Sequence, residues 1–371
     1  MIDLYGISYG IGKWFMGIIA AILDFFGQWI QPFQGLADWL MRWETLNVLA
    51  ITIQVVIVFL FVSIINLFII MWIERKMYAR LHTRRGIMLP LPFRKVQKGT
   101  GFLQNLADGM KLIQKENITP KNADKWMYHI APAIIATTSI LVFVAIPLSE
   151  TFVVANLEGG LIFVFAILAI APFAVLVGGW ASNNKFTLIG GMRGAAQMLS
   201  YEIPLILAAV GVILLAGSLN LVDIVIAQQQ TIWFGIPLIL GLLVFLVAIV
   251  AEVERLPFDI PEAEAELVEG WATEYGGMRF GLIFVAKWVR TYAGAALITI
   301  LFLGGWSGPI LPGEIWFIIK SYIVFIIIVW TTWSLPRTRM DQVLEIGWKR
   351  LLPAALISIA IAAALKWVGW F

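Results

Sequence analysis

The densest group of titratable side chains in this sequence lies past its middle. From Ala251 the chain reads AEVERLPFDIPEAEAELVEGWATEYGGMRFG, and residues 252–274 hold eight acids: Glu252, Glu254, Asp259, Glu262, Glu264, Glu266, Glu269 and Glu274. Arg255 is the only basic residue among them, and the window takes more than a third of the chain's 23 Asp and Glu. Crowded carboxylates raise one another's pKa and partial burial raises it further, so such a group can hold shared protons near neutral pH. The plainer alternative is a solvated acidic loop that binds a basic partner or cations. Interleaved Leu256, Phe258, Leu267, Val268, Trp271 and Tyr275 argue for partial burial. Glu262, Glu266 and Glu269 stand at i, i+4, i+7, which predicts one face of a helix begun by Pro261.

The elements that must position these acids follow from composition. Of 371 residues, 61% are hydrophobic and 13% charged, against roughly 45–50% and about 25% in an ordinary soluble domain. Mean hydropathy is +0.90. Lipid is the solvent for most of such a chain, which predicts an all-α integral membrane protein. There are no cysteines and two histidines. That excludes thiolate metal sites, iron–sulfur clusters and disulfides within the chain, and leaves His82 and His129 without a companion for a metal.

Apolar stretches predict eight spans near 48–73, 128–148, 159–180, 203–222, 232–251, 280–305, 315–335 and 351–370. The loops on one side, 74–127, 181–202, 252–279 and 336–350, collect 20 of the 26 Lys and Arg, and the intervening loops 149–158, 223–231 and 306–314 carry none. That alternation places the long loops in the cytoplasm or its organellar equivalent. The apolar run Trp14 to Ile30 predicts an interfacial or additional helix within an N-terminal extension, 1–47, ahead of a single membrane domain, 48–371. No small-residue cleavage site follows that run.

In the first loop, Phe102, Leu103, Leu106, Met110 and Ile113 fall at helical spacing, predicting a short amphipathic helix on lipid headgroups or under a docked partner. In the second, Gly190, Gly191, Gly194, Ala195 and Ala196 are a small-residue stripe of the kind that lets helices pack closely. Glu202 sits at the predicted start of an apolar span, where an acid usually faces a polar interior.

Taken in order, these motifs resemble the family of H-type membrane subunits of bacterial NADH–quinone oxidoreductases, the counterpart of membrane subunit 1 of mitochondrial complex I. The resemblance is carried by Glu252, Arg255, Pro257-Phe258-Asp259, Glu262, Glu264, Glu266-Leu267, Gly270-Trp271, Glu274-Tyr275 and Gly277-Met278-Arg279-Phe280. Glu74-Arg75-Lys76, Leu103-Gln104, Ala107-Asp108-Gly109, Lys111-Leu112 and Lys115-Glu116 are similar to the family's first loop. Gly179 to Lys185 and Gln197 to Glu202 are similar to its second, and Gly304-Gly305-Trp306, Leu335-Pro336-Arg337, Asp341-Gln342 and Gly347-Trp348-Lys349 continue the match over roughly 48–371. Two departures stand out. Gly86 is followed by Ile87 where the family usually has Gly-Pro, with a longer basic segment (Arg94, Lys95, Lys98) after it, and the N terminus is longer than the family's.

The resemblance implies a membrane-arm subunit of a proton-translocating respiratory oxidoreductase, which helps to enclose a quinone chamber and couples quinone reduction to ion movement. It implies no cofactor bound by this chain, a quinone or methanophenazine-like carrier as substrate, and iron–sulfur clusters and flavin in partner subunits. The partners implied are other membrane-arm subunits, iron–sulfur peripheral subunits and membrane lipid in a prokaryotic plasma membrane; nucleic acid is not expected. For individual residues, it implies a proton-coupling set of Glu202, Glu252, Asp259, Glu262, Glu264, Glu266 and Glu274 with Arg255 as countercharge. Arg75, Arg279, Phe258 and Trp271 are assigned to the quinone chamber or its entrance, and Asp108, Lys111, Lys115 and Glu116 to docking. Physical chemistry supplies a reason for the first set: quinone reduction consumes two protons, and coupled acids respond to the charge it creates.

Three alternatives stay open at this level. The electron donor could be a deazaflavin coenzyme or ferredoxin, or the machine a membrane-bound hydrogenase, because the donor binds elsewhere. A stand-alone ion channel or transporter would use the acidic loop as its ion site, although such proteins usually place ionisable groups at mid-membrane and show repeat symmetry. A purely structural anchor predicts that neutralising the acids leaves turnover intact.

Overall fold

A computed structural model of the chain describes residues 67–87, 101–150, 152–309 and 311–369, with the side chains of Glu264 and Ala265 outside the description. Every regular element among these residues is helical: α1 (Leu67–Leu81), α2 (Gln104–Gln114), α3 (Lys125–Leu141), α4 (Gly160–Leu168), α5 (Ile170–Ala181), α6 (Lys185–Ala216), α7 (Leu221–Gln230), α8 (Ile239–Glu252), α9 (Glu264–Leu267), α10 (Gly277–Phe302), α11 (Gly313–Ser334), α12 (Met340–Glu345) and α13 (Leu352–Val368). Six stretches are long and apolar enough to cross a membrane, and α8 is a shorter apolar helix. These seven correspond to the second to eighth expected spans. Of the first, only the end is described, as α1; the expectations for 1–47 and for the basic segment with Arg94, Lys95 and Lys98 lie outside the described residues.

Boundaries follow local chemistry. Asn184 and Asn220 start α6 and α7 with side-chain oxygens that accept from Phe186 N and Val222 N at 3.0 and 2.9 Å. Gly217, at φ +72°, ends α6 in the left-handed conformation that glycine adopts without a Cβ penalty. The apolar stretch 160–181 is broken into α4 and α5 at Ala169, three residues before Pro172, whose ring would meet the carbonyl of Leu168 in a continuous helix. A wide π turn over Ile346–Leu351 precedes Pro353 in the same way and joins α12 to α13.

The structure corrects two expected loops. Residues 181–202 are helical from Lys185 onward, so the connection is only Ser182–Asn184 and Glu202 sits deep within a 32-residue helix rather than at its start. Likewise 336–350 is helical from Met340. Three glycines lower the helix propensity of the first half of α6, yet α6 is the central strut, packed by α5, α8 and α13. The expected close approach of helices is found where Gly179 of α5 meets Gly191 of α6: a Cβ on Gly191 would lie 3.3 Å from the Gly179 Cα.

A buried lysine holds the far end of α10. Lys320, in the second turn of α11 and 7% exposed, donates to the carbonyls of Leu303 and Ser307 at 2.7 and 2.8 Å and lies 4.4 Å from the centre of the Trp233 ring. A cation here satisfies carbonyls that the helix leaves open and complements its negative end. Lys320→Met strands both acceptors, so the detergent-solubilised protein is expected to lose about 1–3 kcal/mol of stability. A thermal scan of the variant beside the parent reads this directly, and an unchanged midpoint would refute the capping role.

Candidate functional site

The acidic segment is held on a glycine row of α6. Leaving α8 at Glu252, the chain turns at Glu254 (φ +53°) and buries Phe258, Ile260, Ala263, Leu267, Trp271 and Ala272. Gly190 and Gly194, one turn apart on α6, form the floor. A Cβ on Gly190 would lie 2.6 Å from Trp271 N and 2.8 Å from the Gly270 carbonyl carbon, and one on Gly194 would lie 2.7 Å from Glu254 Oε1. The small-residue stripe thus has two uses: Gly191 packs helix on helix, while Gly190 and Gly194 admit the acidic segment. One turn further, Gln197 Nε2 donates to Ala251 O at 2.8 Å and Phe258 O at 2.6 Å, tying two points of the segment to the same strut. Its other end is tied to Asn184, whose Nδ2 donates to Glu274 Oε1 at 2.7 Å, and to Tyr128, whose hydroxyl donates to Glu274 O at 2.6 Å.

The expected helical face of Glu262, Glu266 and Glu269 does not form. Only Glu264–Leu267 is helical, and Val268 at φ +64° breaks it. A longer helix would lift Leu267 and Trp271 off α6; their burial outweighs the few hydrogen bonds that propagation would add.

Beneath the segment lies a cavity of about 400 Å³ between α1, α10 and α11. Its lining combines the aromatic side chains Tyr78, Phe284, Trp288 and Trp333 with the charged groups Glu74, Arg75, Glu254, Arg255, Asp259, Glu262, Glu269 and Lys287. Arg255 is paired with Glu74 at 2.5 Å, lies 4.5 Å from the centre of the Trp288 ring and donates from Nε to Thr291 Oγ1 at 3.3 Å. Lys287 projects from α10 to Glu262 at 2.6 Å and Asp259 at 3.7 Å, and Arg337 reaches Asp259 at 3.5 Å.

Burial pushes Glu254 up to about 7; the neighbouring carboxylates Glu262 and Asp259 add to the rise, and Lys287 and Arg290 oppose it. Burial likewise raises Asp259 to about 6, with Lys287 opposing and Glu262 reinforcing. Both acids therefore change charge near neutral pH. A cavity with aromatic side chains and titrating carboxyls suits a flat, apolar molecule whose polar groups gain and lose protons.

The sequence-derived candidates divide into several groups. Asp259, Glu262, Arg255 and Arg75 line the cavity. Arg255 forms its ion pair with Glu74 of α1, and its charge also lowers the pKa of Asp259 in its own segment. Glu252 is buried at the end of α8, and Glu202 is half-buried within α6. Glu266 turns to the outer surface, where it pairs with Arg193 at 2.6 Å, and Glu274 serves as the tie described above. The side chain of Glu264 lies outside the described residues.

Among the residues assigned to the chamber, Phe258 and Trp271 are buried in the segment's own packing rather than on the 400 Å³ cavity. Arg279 bonds Thr119 at 2.8 Å and also lies off that cavity. Asp108 of α2 is ion-paired with Arg75 at 2.5 Å, whereas Lys111, Lys115 and Glu116 are exposed. The amphipathic face of α2 is present, with Leu106, Met110 and Ile113 exposed.

Glu74, Glu254, Lys287 and Arg290 have no part in the sequence-derived set. One signal for the last two was available. They are the only charges in the apolar stretch 280–305, and a cation inside a span demands a partner.

All of these cavity residues fall within residues 52–363, which match the family described as NADH dehydrogenase. The chain belongs to the NADH dehydrogenase family. Among its relatives, the H-type subunit of the NADH-quinone oxidoreductase of Geobacillus thermodenitrificans is 48% identical over 271 residues, covering 72% of this chain and 81% of the relative. An H-type subunit of the same enzyme from Syntrophobacter fumaroxidans is 43% identical over 314 residues, covering 81% and 91%. One from Geobacter sulfurreducens is 44% identical over 307 residues, covering 80% and 90%. These relatives bear out the resemblance read from the motifs, and the helices of this family member bear out an all-α membrane protein.

Proposed function

We propose that this chain is the membrane subunit of an ion-translocating, complex I-like oxidoreductase of the prokaryotic plasma membrane, forming part of the chamber in which a lipid-soluble quinone is reduced. The observation that carries the reading is the 400 Å³ cavity, whose lining joins aromatic side chains to a Lys287 that is ion-paired with both Asp259 and Glu262. Family membership supports it, as do relatives named as subunits of an NADH–quinone oxidoreductase. Peripheral subunits close the chamber and hold the flavin and iron–sulfur clusters that deliver electrons. Within this chain, Tyr78, Phe284 and Trp288 hold the apolar part of the quinone. Each quinone reduced takes up two protons, and negative charge arriving in the cavity before them draws a proton onto Asp259 and weakens the hold of the segment on Lys287. Lys287 on α10 passes that change of charge to the buried part of the helix bundle.

Affinity purification of the tagged, intact complex tests this. Iron–sulfur subunits are expected to co-purify, and Asp259→Asn and Glu262→Gln are each expected to lower quinone-driven proton uptake in proteoliposomes on the order of 100-fold. A chain that purifies without redox partners and conducts ions alone would overturn the proposal in favour of a transporter.

A further inference from the structure

A second, much smaller space of about 20 Å³ lies beside the large cavity, lined on its polar side by Glu254, Glu262, Trp271, Lys287 and Arg290. Its size admits one water molecule, which needs about 10–15 Å³ by this measure and two to four polar partners. Three of the lining residues offer such partners. Glu254, Arg290 and Trp271 are 4%, 5% and 2% exposed, and the protein supplies no hydrogen-bond partner for Glu254 Oε1, Arg290 Nε or Trp271 Nε1. Leaving three buried polar atoms around one small space unmet is costly, and a single water there would offer each of them a partner.

We infer that Glu254 is a proton-holding group of this site and that the small space seats one water, positioned by Arg290 and Trp271, as its hydrogen-bond partner. Both Arg290 Nε–H and Trp271 Nε1–H are donors, so they occupy the water's two lone pairs. Its hydrogens then point outward, one to Glu254 Oε1 and the other to the Glu262 side. That arrangement favours the ionised carboxylate, whereas burial favours the neutral acid. On protonation, an O–H bond forms at a Glu254 carboxyl oxygen, with the proton drawn from the large cavity that Glu254 also lines. A water already accepting twice cannot accept that third hydrogen, so one donor bond is released. The same O–H bond breaks when the proton returns to the cavity, and no electrons move.

Burial pushes Glu254 up to about 7, and the water's hydrogen bond opposes that rise. The acid is largely protonated below that pH and ionised above it. The groups that face Glu254 are Asp259 and Glu262 from its own segment, Lys287 and Arg290 from α10, and Glu252 at the end of α8. On the α5 and α6 side its neighbours are the uncharged Val175 and Gly194.

This inference rests on the proposal that the segment exchanges protons, and the test separates the two. Infrared difference spectra of the intact complex, titrated from acid to alkaline pH, read protonated carboxyl groups directly. A carboxyl band that disappears near neutral pH is expected in an Asp259→Asn background, which removes the other acid raised into this range, and lost when Glu254→Gln is added. In Trp271→Phe, which removes one donor to the water, the midpoint is expected to rise on the order of one pH unit. Glu254→Asp, which withdraws the carboxyl by one methylene, serves if Glu254→Gln does not assemble, and a shifted midpoint is expected.

A band that survives Glu254→Gln, or a midpoint that neither Trp271→Phe nor Glu254→Asp moves, overturns the inference. If Asp259→Asn leaves proton uptake intact, the proposed function fails whatever the band does. If Asp259→Asn stops uptake while Glu254→Gln keeps the band, only the inference fails.

Discussion

Arg255→Met is expected to destabilise the protein by about 3–5 kcal/mol, the usual consequence of leaving one member of a buried ion pair without its partner. Arg255 and Glu74 are 7% and 3% exposed, and their contact at 2.5 Å joins residues 181 positions apart. The guanidinium also lies on Trp288 and bonds Thr291, so it ties α1, α10 and the acidic segment together across the cavity. Removing it strands the Glu74 carboxyl where water cannot solvate it.

The reverse deletion in the same background is therefore informative. Glu74→Gln added to Arg255→Met is expected to recover a large part of the loss, because the remaining amide carries no charge to bury. Thermal unfolding of the two single variants and the double variant in the intact complex measures the coupling. Strictly additive effects would mean that the pair holds nothing together. A buried pair of this kind is a weaker argument for net stability than for specificity, since apolar replacements of both partners can be neutral. Here it selects which helix faces the acidic segment.

Gly190→Ala is expected to reduce quinone-linked turnover about 100-fold while the complex still assembles. The added methyl would lie 2.6 Å from Trp271 N and 2.8 Å from the Gly270 carbonyl carbon. Both atoms are backbone, so no side chain can turn aside, and the segment must lift from α6. Overpacking typically costs 1–3 kcal/mol, about the scale that a fold of this size tolerates. The functional cost is larger, because a displacement of about 1 Å at reacting groups is worth about 100-fold. Gly109→Ala is the matching control: a Cβ there has no heavy atom within 4 Å, and alanine favours the helix. Full activity in Gly190→Ala would show that the close approach is not what positions the acids.

Both variants act on features of unequal legibility. The membrane character and the second to eighth spans follow from residue type alone, since lipid solvation acts on each stretch of about 20 residues regardless of its neighbours. Partial burial of the acidic segment was legible for the same local reason: Phe258, Leu267 and Trp271 are too apolar to stay in water, and all three are buried. The short helix α2 followed from its 3.6-residue periodicity. The helical start of α6 did not, because its glycines lower helix propensity and the stretch is less apolar than a span, so the helix depends on packing against its partners.

What only the tertiary structure decided is which charges meet. In sequence, Glu266 and Glu262 are equivalent acids four residues apart, yet one faces Arg193 at the outer surface and the other faces Lys287 in the cavity. Glu262 precedes the short helix α9 and Glu266 lies within it, a division that the spacing of the acids does not show. Arg255 likewise sits among acids in sequence but pairs with Glu74, on a helix 181 residues away. Hydrophobicity is a property each residue carries with it, so it can be read along the chain. The energy of a buried charge depends on the few ångströms to its partner, so its role exists only once the helices have packed.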